Sequence, residues 1–285
     1  MKIYPLDHEL DKPYLLNINE IKEPFPAHRH NFMEFSYIIK GEGTEIINGK
    51  KHRIKQGTFT LLLPYQVHEL HPDPDKPIRL YNCNLGLEAF FGTNRLSEEL
   101  NEMIFEFNKE LPSYVHFDSE NAERIDSIFK DMISEYNEEL QWKDLIFKAK
   151  VIDAFVLFDR QRRISGNIAE KIDIPDYQNR KSYLWEIIFY IHNHYMEDIP
   201  LEKLAKKFGV SISHLSTTFK EYFGENIHSF LNDIRIKHAC GLLSSSNKQI
   251  IDIAAEVGFN SYATFSRVFR QKQGLSASEY RNRIK

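Results

Sequence analysis

Cysteine is scarce in this 285-residue chain, which holds only Cys83 and Cys240. With no paired spacing they supply neither a disulfide framework nor a zinc cluster, so both are expected to be inert thiols. No apolar run approaches the roughly 20 residues that span a bilayer. The opening stretch, MKIYPLDHELDKPY, has no apolar core of the secretory kind, so the expected location is the cytoplasm, with no membrane partner. A nucleophile elbow and a phosphate-binding glycine loop are also missing, which removes two common signs of catalysis. So is any strong excess of positive charge: 37 Lys and Arg face 41 Asp and Glu, for a net charge of −4. That balance is uneven along the chain. Residues 182–285 hold 13 basic and 10 acidic side chains, and the remainder holds 24 and 31. A mildly basic C-terminal part needs locally placed cations to hold DNA, and the acidic remainder is unsuited to touch it.

The length predicts about two domains. A hydrophobic content of 42% is enough for packed cores. The C-terminal part contains a repeat. Leu204, Ala205 and Gly209 recur 49 residues later as Ile253, Ala254 and Gly258. Leu215, Phe219, Gly224 and Phe230 recur 50 residues later as Phe265, Phe269, Gly274 and Tyr280, so the second copy has one more residue in its turn. In each copy a short helix-period run stops at a glycine and a second run follows. Two short helices about a glycine-bearing turn make a helix-turn-helix, whose second helix fits a DNA major groove. The run 227–240 predicts a helix linking the two, and a helix from about Ser182 to Tyr195 props the first.

This pair of helix-turn-helices, the string AAEVGFNSYATFSRVFRQKQG and the closing SASEYR resemble the AraC/XylS-type transcription regulators. The resemblance is strong over about 183–285 and weaker over the N-terminal half. It implies a first reading helix over about 211–222, with Ser213, Ser216 and Thr217 toward the groove and His214 and Lys220 beside them. It implies a second over about 261–273, where Tyr262, Ala263, Ser266 and Arg267 hold the matching positions. Ser261 and Arg270 share that polar face. Ala263 stands where the family is usually polar, and would meet a thymine methyl. Arg267 is a candidate to grip guanine O6 and N7. A phosphate contact or an ion pair within the domain is the open alternative. Successive grooves on one face would set the two reading helices about 34 Å apart.

The N-terminal half reads as strands. Runs at 35–40, 44–47, 51–55, 58–63 and 79–85 are separated by Gly41-Glu42-Gly43, Asn48-Gly49 and Gln56-Gly57, and Asn48-Gly49 is a two-residue hairpin signal. Residues 1–26, with four prolines, read as an extended arm and a short strand. Many short strands with regular turns predict a sandwich or small barrel. His28, His30 and Glu34, then Gly41, Gly57, Pro64 and His68, are similar to the two cupin motifs, whose histidines and glutamate hold one metal ion in metal cupins. The second motif departs from that pattern by an extra residue before the proline and by the absence of the following glycine. Regulators of the resembled family usually keep the barrel without metal. The expectation is therefore that His28, His30, Glu34, Ser36, Tyr37 and His68 line a pocket for a small-molecule effector, with no metal and no cofactor. His28, His30, Glu34, Ser36 and Ile38 share a strand parity, and so polar a parity suits a hydroxylated ligand. Phe35, Tyr37 and Tyr81 are candidates to stack on a sugar face.

Residues 94–163 read as helical. Ile125, Ile128, Phe129, Met132, Ile133 and Tyr136 form one stripe. Leu145, Ala149, Ile152, Val156 and Asp159 form another, with Phe147, Phe155 and Phe158 beside it. Such stripes fit subunit pairing or capping of the barrel equally. Residues 164–181 lose periodicity and read as a linker.

The expected fold is α+β in two domains. A cupin-like effector-binding and dimerisation domain spans 1–163, and an all-α DNA-binding domain with two helix-turn-helix motifs spans 182–285. The expected function is a sequence-specific transcription regulator, not an enzyme, that responds to a sugar or sugar-derived effector. Its expected partners are double-stranded promoter DNA, the effector, a second copy of the chain and RNA polymerase. A metal-dependent cupin enzyme with a DNA-binding appendage and an effector-free DNA binder are the alternatives.

Overall fold

Alternating side chains and tight turns build ten short strands at the N-terminus. They are seen in a computed structural model that describes residues 2–4, 14–86, 99–100, 103–104, 111–166 and 182–284. The strands are β1 (Lys2–Tyr4), β2 (Tyr14–Ile21), β3 (Phe25–His30), β4 (Met33–Lys40), β5 (Glu42–Ile47), β6 (Lys50–Lys55), β7 (Thr58–Leu62), β8 (His68–Pro72), β9 (Ile78–Leu85) and β10 (Tyr114–His116). They form two five-stranded sheets, ordered β1-β3-β8-β5-β6 and β10-β7-β4-β9-β2. The pairings are antiparallel except for the parallel β1–β3 pair. The hairpin between β5 and β6 turns on Asn48 at φ 49° and Gly49 at φ 82°, the two positive φ angles that Asn-Gly tolerates best.

Period-two alternation sorts β4 into two faces. Phe35 and Tyr37 point outward under two helices, α1 (Ser119–Asn137) and α2 (Lys143–Gly166). There Phe35 meets Phe129 and Phe155, and Tyr81 stacks on Phe129 at 4.8 Å. Ser36 and Ile38 are on the opposite face of the strand. Ile38 closes one end of the interior with Ile54, Ile78 and Leu80. The other end is polar.

Several elements differ from the sequence expectations. Residues 14–21, within the stretch read as an arm and a short strand, form an eight-residue strand paired with β9 from Tyr14↔Leu85 to Ile21↔Ile78. The strand β8 went unread because HELHP has no apolar alternation. β10 lies inside the stretch read as helical and pairs with β7. α2 runs to Gly166, so residues 164–166 of the expected linker are helical, and 167–181 lie outside the described residues. The faces of α2 are also corrected. Phe147, Val151, Ala154, Phe155 and Phe158 are buried, whereas Leu145 is 64% exposed, Ala149 is exposed, and Ile152 and Val156 are half-buried. The phenylalanines win the inward side because each removes more apolar area from water than Leu or Val does.

The chain divides into two compact units, and the described part of the second is residues 182–284. It contains α3 (Ser182–His194), α4 (Leu201–Lys207), α5 (Ile212–Phe223), α6 (Ile227–Ser245), α7 (Ile250–Glu256), α8 (Tyr262–Gln273) and α9 (Ala277–Ile284). α6 is longer than the sequence reading by five residues, since 241–245 continue the helix. Leu184, Ile187, Ile188 and Ile191 of α3 are fully buried. The loops confirm the repeat: residues 208–211 separate α4 from α5, and 257–261 separate α7 from α8. Gly258 must be glycine on two grounds. Its φ is +91°, and a Cβ there would lie 2.7 Å from the Met196 carbonyl oxygen.

Candidate functional site

The two helix-turn-helices solve the same local problem in the same way. Ser211 caps α5 by accepting from the His214 N–H at 3.2 Å, and Ser261 caps α8 by accepting from the Thr264 N–H at 3.2 Å. Each helix ends in a left-handed glycine, Gly224 at φ 81° and Gly274 at φ 74°. Leu215, Thr218, Phe219 and Phe223 hold α5 down, and Phe265, Val268 and Phe269 hold α8 down. These anchors leave the opposite faces in solvent. Ser213, His214, Ser216, Thr217 and Lys220 are all exposed on α5, and Tyr262, Ala263, Arg267 and Arg270 on α8, with Ser266 half-buried. Ser261 is exposed too, but its hydroxyl is engaged by the Thr264 N–H and Thr264 Oγ1. Arg267 forms no ion pair among the described residues, so its guanidinium is not spent inside the domain.

Sequence reasoning missed the cation that ties this unit together. Arg235 on α6 donates to the Tyr195 carbonyl at 2.7 Å and the Glu197 carbonyl at 2.8 Å, and its guanidinium lies over the Phe259 ring. It has no assigned role in the sequence reading, and only 9% of it is exposed.

In the N-terminal unit, strand pairing brings four of the sequence candidates together. His28 and His68 are register partners on β3 and β8, with rings 4.1 Å apart. His30 lies at the end of β3, its ring 5.2 Å from that of His68. His30 Nε2 is 3.5 Å from Glu34 Oε2. Ser36 shares the Glu34 face and pairs with Thr60 and Asn82. Tyr37 does not join them. Alternation puts it on the outer face, where its hydroxyl donates to the Ala122 carbonyl at 3.2 Å and its ring packs on Phe129. Phe35 and Tyr81 share that face, so none of the three rings is placed to stack on a ligand beside the histidines.

Burial sets the electrostatics of this cluster. His30 is pushed down to about 4 by desolvation, against the raising effect of its bond to the Phe32 carbonyl. His28 is lowered and His68 strongly lowered by the same cause. Glu34 is pushed up to about 8 by burial and by the nearby Glu45, while a hydrogen bond from Asn82 opposes the rise. The 3.5 Å pairing of His30 with Glu34 is therefore not an ion pair at neutral pH.

Further polar groups that the sequence reading passed over complete the interior. Glu45 is only 3% exposed, accepts from the Thr60 hydroxyl at 2.9 Å, and lies 3.0 Å from His52 Nε2. Asn82 and Asn84 follow the Leu80 parity and face inward, which the alternation in LYNCNL could have shown. Four atoms there, His30 Nε2, His68 Nε2, Asn82 Oδ1 and Asn84 Oδ1, are buried with no hydrogen-bond partner among the described residues. Such atoms are costly unless something binds them. A separate open cleft of about 750 Å³ is lined by Lys40, Glu42, Lys55, Lys76 and Arg79 among others, and includes none of this cluster. Among the described residues no helix is long and apolar enough to cross a membrane.

Comparison with known proteins agrees with both halves of this description. Residues 19–149 match the AraC-like ligand binding domain and residues 204–283 match a helix-turn-helix domain. The chain is similar to the HTH-type transcriptional activator RhaS of Mannheimia succiniciproducens, at 25% identity over 95% of this chain and 94% of that one. It is also similar to the HTH-type transcriptional regulator YfiF of Bacillus subtilis, at 24% identity over 90% of this chain and 79% of that one. Among solved structures, ToxT of Vibrio cholerae aligns over 96% of this chain and 99% of that one, at 15% identity and a TM-score of 0.39. These relatives are transcription regulators, so the enzyme alternative falls. A cupin-like barrel unit joined to two capped helix-turn-helices, each matched by its own domain profile, places this chain in the AraC/XylS family of DNA-binding transcription regulators.

Proposed function

We propose that this regulator is switched by a small hydroxylated effector, of sugar or sugar-derived class, held in the polar end of the N-terminal barrel. The observation that carries the reading is the set of buried interior atoms without hydrogen-bond partners beside His28, His30, Glu34, Ser36 and His68. Placed hydroxyls would satisfy them, and the apolar wall of Ile38, Ile54, Ile78 and Leu80 would face the less polar side of the ligand. Promoter DNA is read by Ser213, His214, Ser216, Thr217 and Lys220 on α5 and by Tyr262, Ser266, Arg267 and Arg270 on α8. Ser261 serves mainly as the cap that aims α8. Two chains pair through the outward stripe of α2, because Leu145, Ala149, Ile152 and Val156 follow the 4-3-4 spacing of a coiled-coil seam. The effector shifts how the pair presents its reading helices. RNA polymerase is a further partner that the family implies, and the cytoplasm is the compartment in which all these partners meet.

The test is unbiased mapping of genomic binding sites, followed by binding of the purified full chain to a mapped site with and without sugars drawn from the neighbouring genes' chemistry. A change in affinity or footprint with one such compound supports the reading. Identical binding across the series, together with no thermal stabilisation by any compound, would leave an effector-free DNA binder.

A further inference from the structure

The two reading helices end beside the same stretch of α6. α5 stops at Gly224, and the next residue, Glu225, hydrogen-bonds Ser229 and Asp233 in the first two turns of α6. In the last turn of α8, Lys272 Nζ lies 2.5 Å from Asp233 Oδ1 and donates to Ser229 Oγ at 3.3 Å. One polar network thus joins the C-terminal ends of both reading helices. Its members sense one another: burial and the Asp233 charge raise the Glu225 pKa, and the Lys272 charge opposes that rise. The network grips α6 away from the apolar core of the second module. That core joins Ile236, Ala239 and Leu243 of α6 to Phe265, Val268 and Phe269 of α8. Asp233 and Ser229 lie about one and two turns earlier, where Phe230 packs on Phe219 and Phe223 of the first module. Apolar packing is non-directional and lets a helix roll on its core, whereas a charged hydrogen bond farther along the partner helix fixes its angle. Lys272 has no counterpart in the first copy. The 50-residue offset puts Tyr222 there, whose ring packs on Trp185 and Phe223.

We propose that Lys272, through Asp233 and Ser229, sets the angle between the two reading helices and thereby the half-site spacing that this regulator accepts. It is a positioning residue, acting through α6 and not through a base. The consequence follows from the geometry of DNA. One inserted base pair moves a groove segment about 3.4 Å along the duplex and about 34° around it. Two helices held at one angle cannot follow that displacement, and two helices free to roll can. Base preference within each half-site belongs to other side chains and is left as it was. The inference rests on the reading in which α5 and α8 enter DNA together, and it is independent of the effector.

The experiment measures affinity of the purified full-length chain for a genomically mapped site and for versions of it with one or two base pairs inserted between the two half-sites. The original chain is expected to lose about 10-fold or more on insertion, the size of one poorly matched base contact. Lys272→Met keeps the apolar stem, removes the charge, and should reduce that loss to about 3-fold or less, as should Asp233→Asn. The double variant should go no further than either single one, because both break the same tie. Lys272→Arg should keep the original discrimination. Preference at single bases of the mapped site should be unchanged in Lys272→Met. Circular dichroism checks that each variant is folded, and Lys272→Gln replaces Lys272→Met if that chain is not. An undiminished spacing penalty in Lys272→Met overturns the inference alone. So does equal weakening at every spacing with a shallower salt dependence, which would make Lys272 a phosphate contact. Indifference of the original chain to spacing would contradict the two-helix reading itself, and the inference with it.

Discussion

Ser211 and Ser261 occupy equivalent positions in the two helix-turn-helices, each accepting the N–H of the third residue onward at 3.2 Å. The equivalence holds although the turn before Ser261 is one residue longer. Each serine fixes where its reading helix begins, and therefore which side chains reach the groove. Ser211→Ala and Ser261→Ala should each destabilise the C-terminal unit by about 1 kcal/mol. Denaturant unfolding checks this, and an unchanged midpoint in both variants would remove the capping role.

Arg267 stands exposed in the first half of α8, and no ion pair holds it within the described residues. Arg267→Ala is expected to lose about 1–3 kcal/mol at one base position of the operator and to relax specificity there. Binding to a panel of single-base operator variants reads this directly. Equal weakening on every sequence, with a shallower salt dependence, would make it a phosphate contact.

Residues 182–285 are expected to fold as an isolated fragment and to bind DNA without effector. In that fragment His192 supplies a pH signature. It is buried on α3, and burial, with the Lys237 and His238 charges, holds its pKa well below the usual imidazole value. As pH falls through about 6.5 the unfolded chain takes up a proton that the folded chain refuses, so stability declines below that point and is flat above it. The slope is at most about 1.4 kcal/mol per pH unit, and it should disappear in His192→Gln. Urea unfolding between pH 5 and 8 measures it. An unfolded fragment would show that the domain division is misplaced, and an equal slope in the variant would move the effect elsewhere.

His30→Ala and Glu34→Ala should abolish the effector response of the full chain without weakening DNA binding by residues 182–285. Operator titrations with and without the effector make the comparison. A normal response in both variants would remove these side chains from the effector site.

Legibility of these features in the sequence follows from their physics. The reading helices were legible because caps, apolar spacing and glycine stops are local signals, and here they occur twice. Gly258 and Gly274 marked their helix ends at the right positions, and Asn48-Gly49 marked its turn. The meeting of His28 with His68 was readable from the motif spacing, although β8 itself was not. Less was visible where tertiary packing decides. Tyr37 differs from Ser36 only in parity, and the helices packed over that sheet determine which parity is wet. The α2 stripe misled because that helix is apolar on both sides, so periodicity alone could not tell Phe155 from Ile152. Arg235 and Glu45 carry no motif that marks them in the sequence, and only the folded chain shows the carbonyls and hydroxyl that hold them.

The most direct test of the central claim is a hydroxyl-radical footprint of the full chain on a genomically mapped site. Two helix-turn-helices acting together predict, for each chain bound, two protected backbone segments on one face of the duplex, about 34 Å apart. Ser216 and Thr217 should map to one segment and Arg267 to the other when each is substituted. A single protected segment, or two that both survive substitution of either helix, would contradict it.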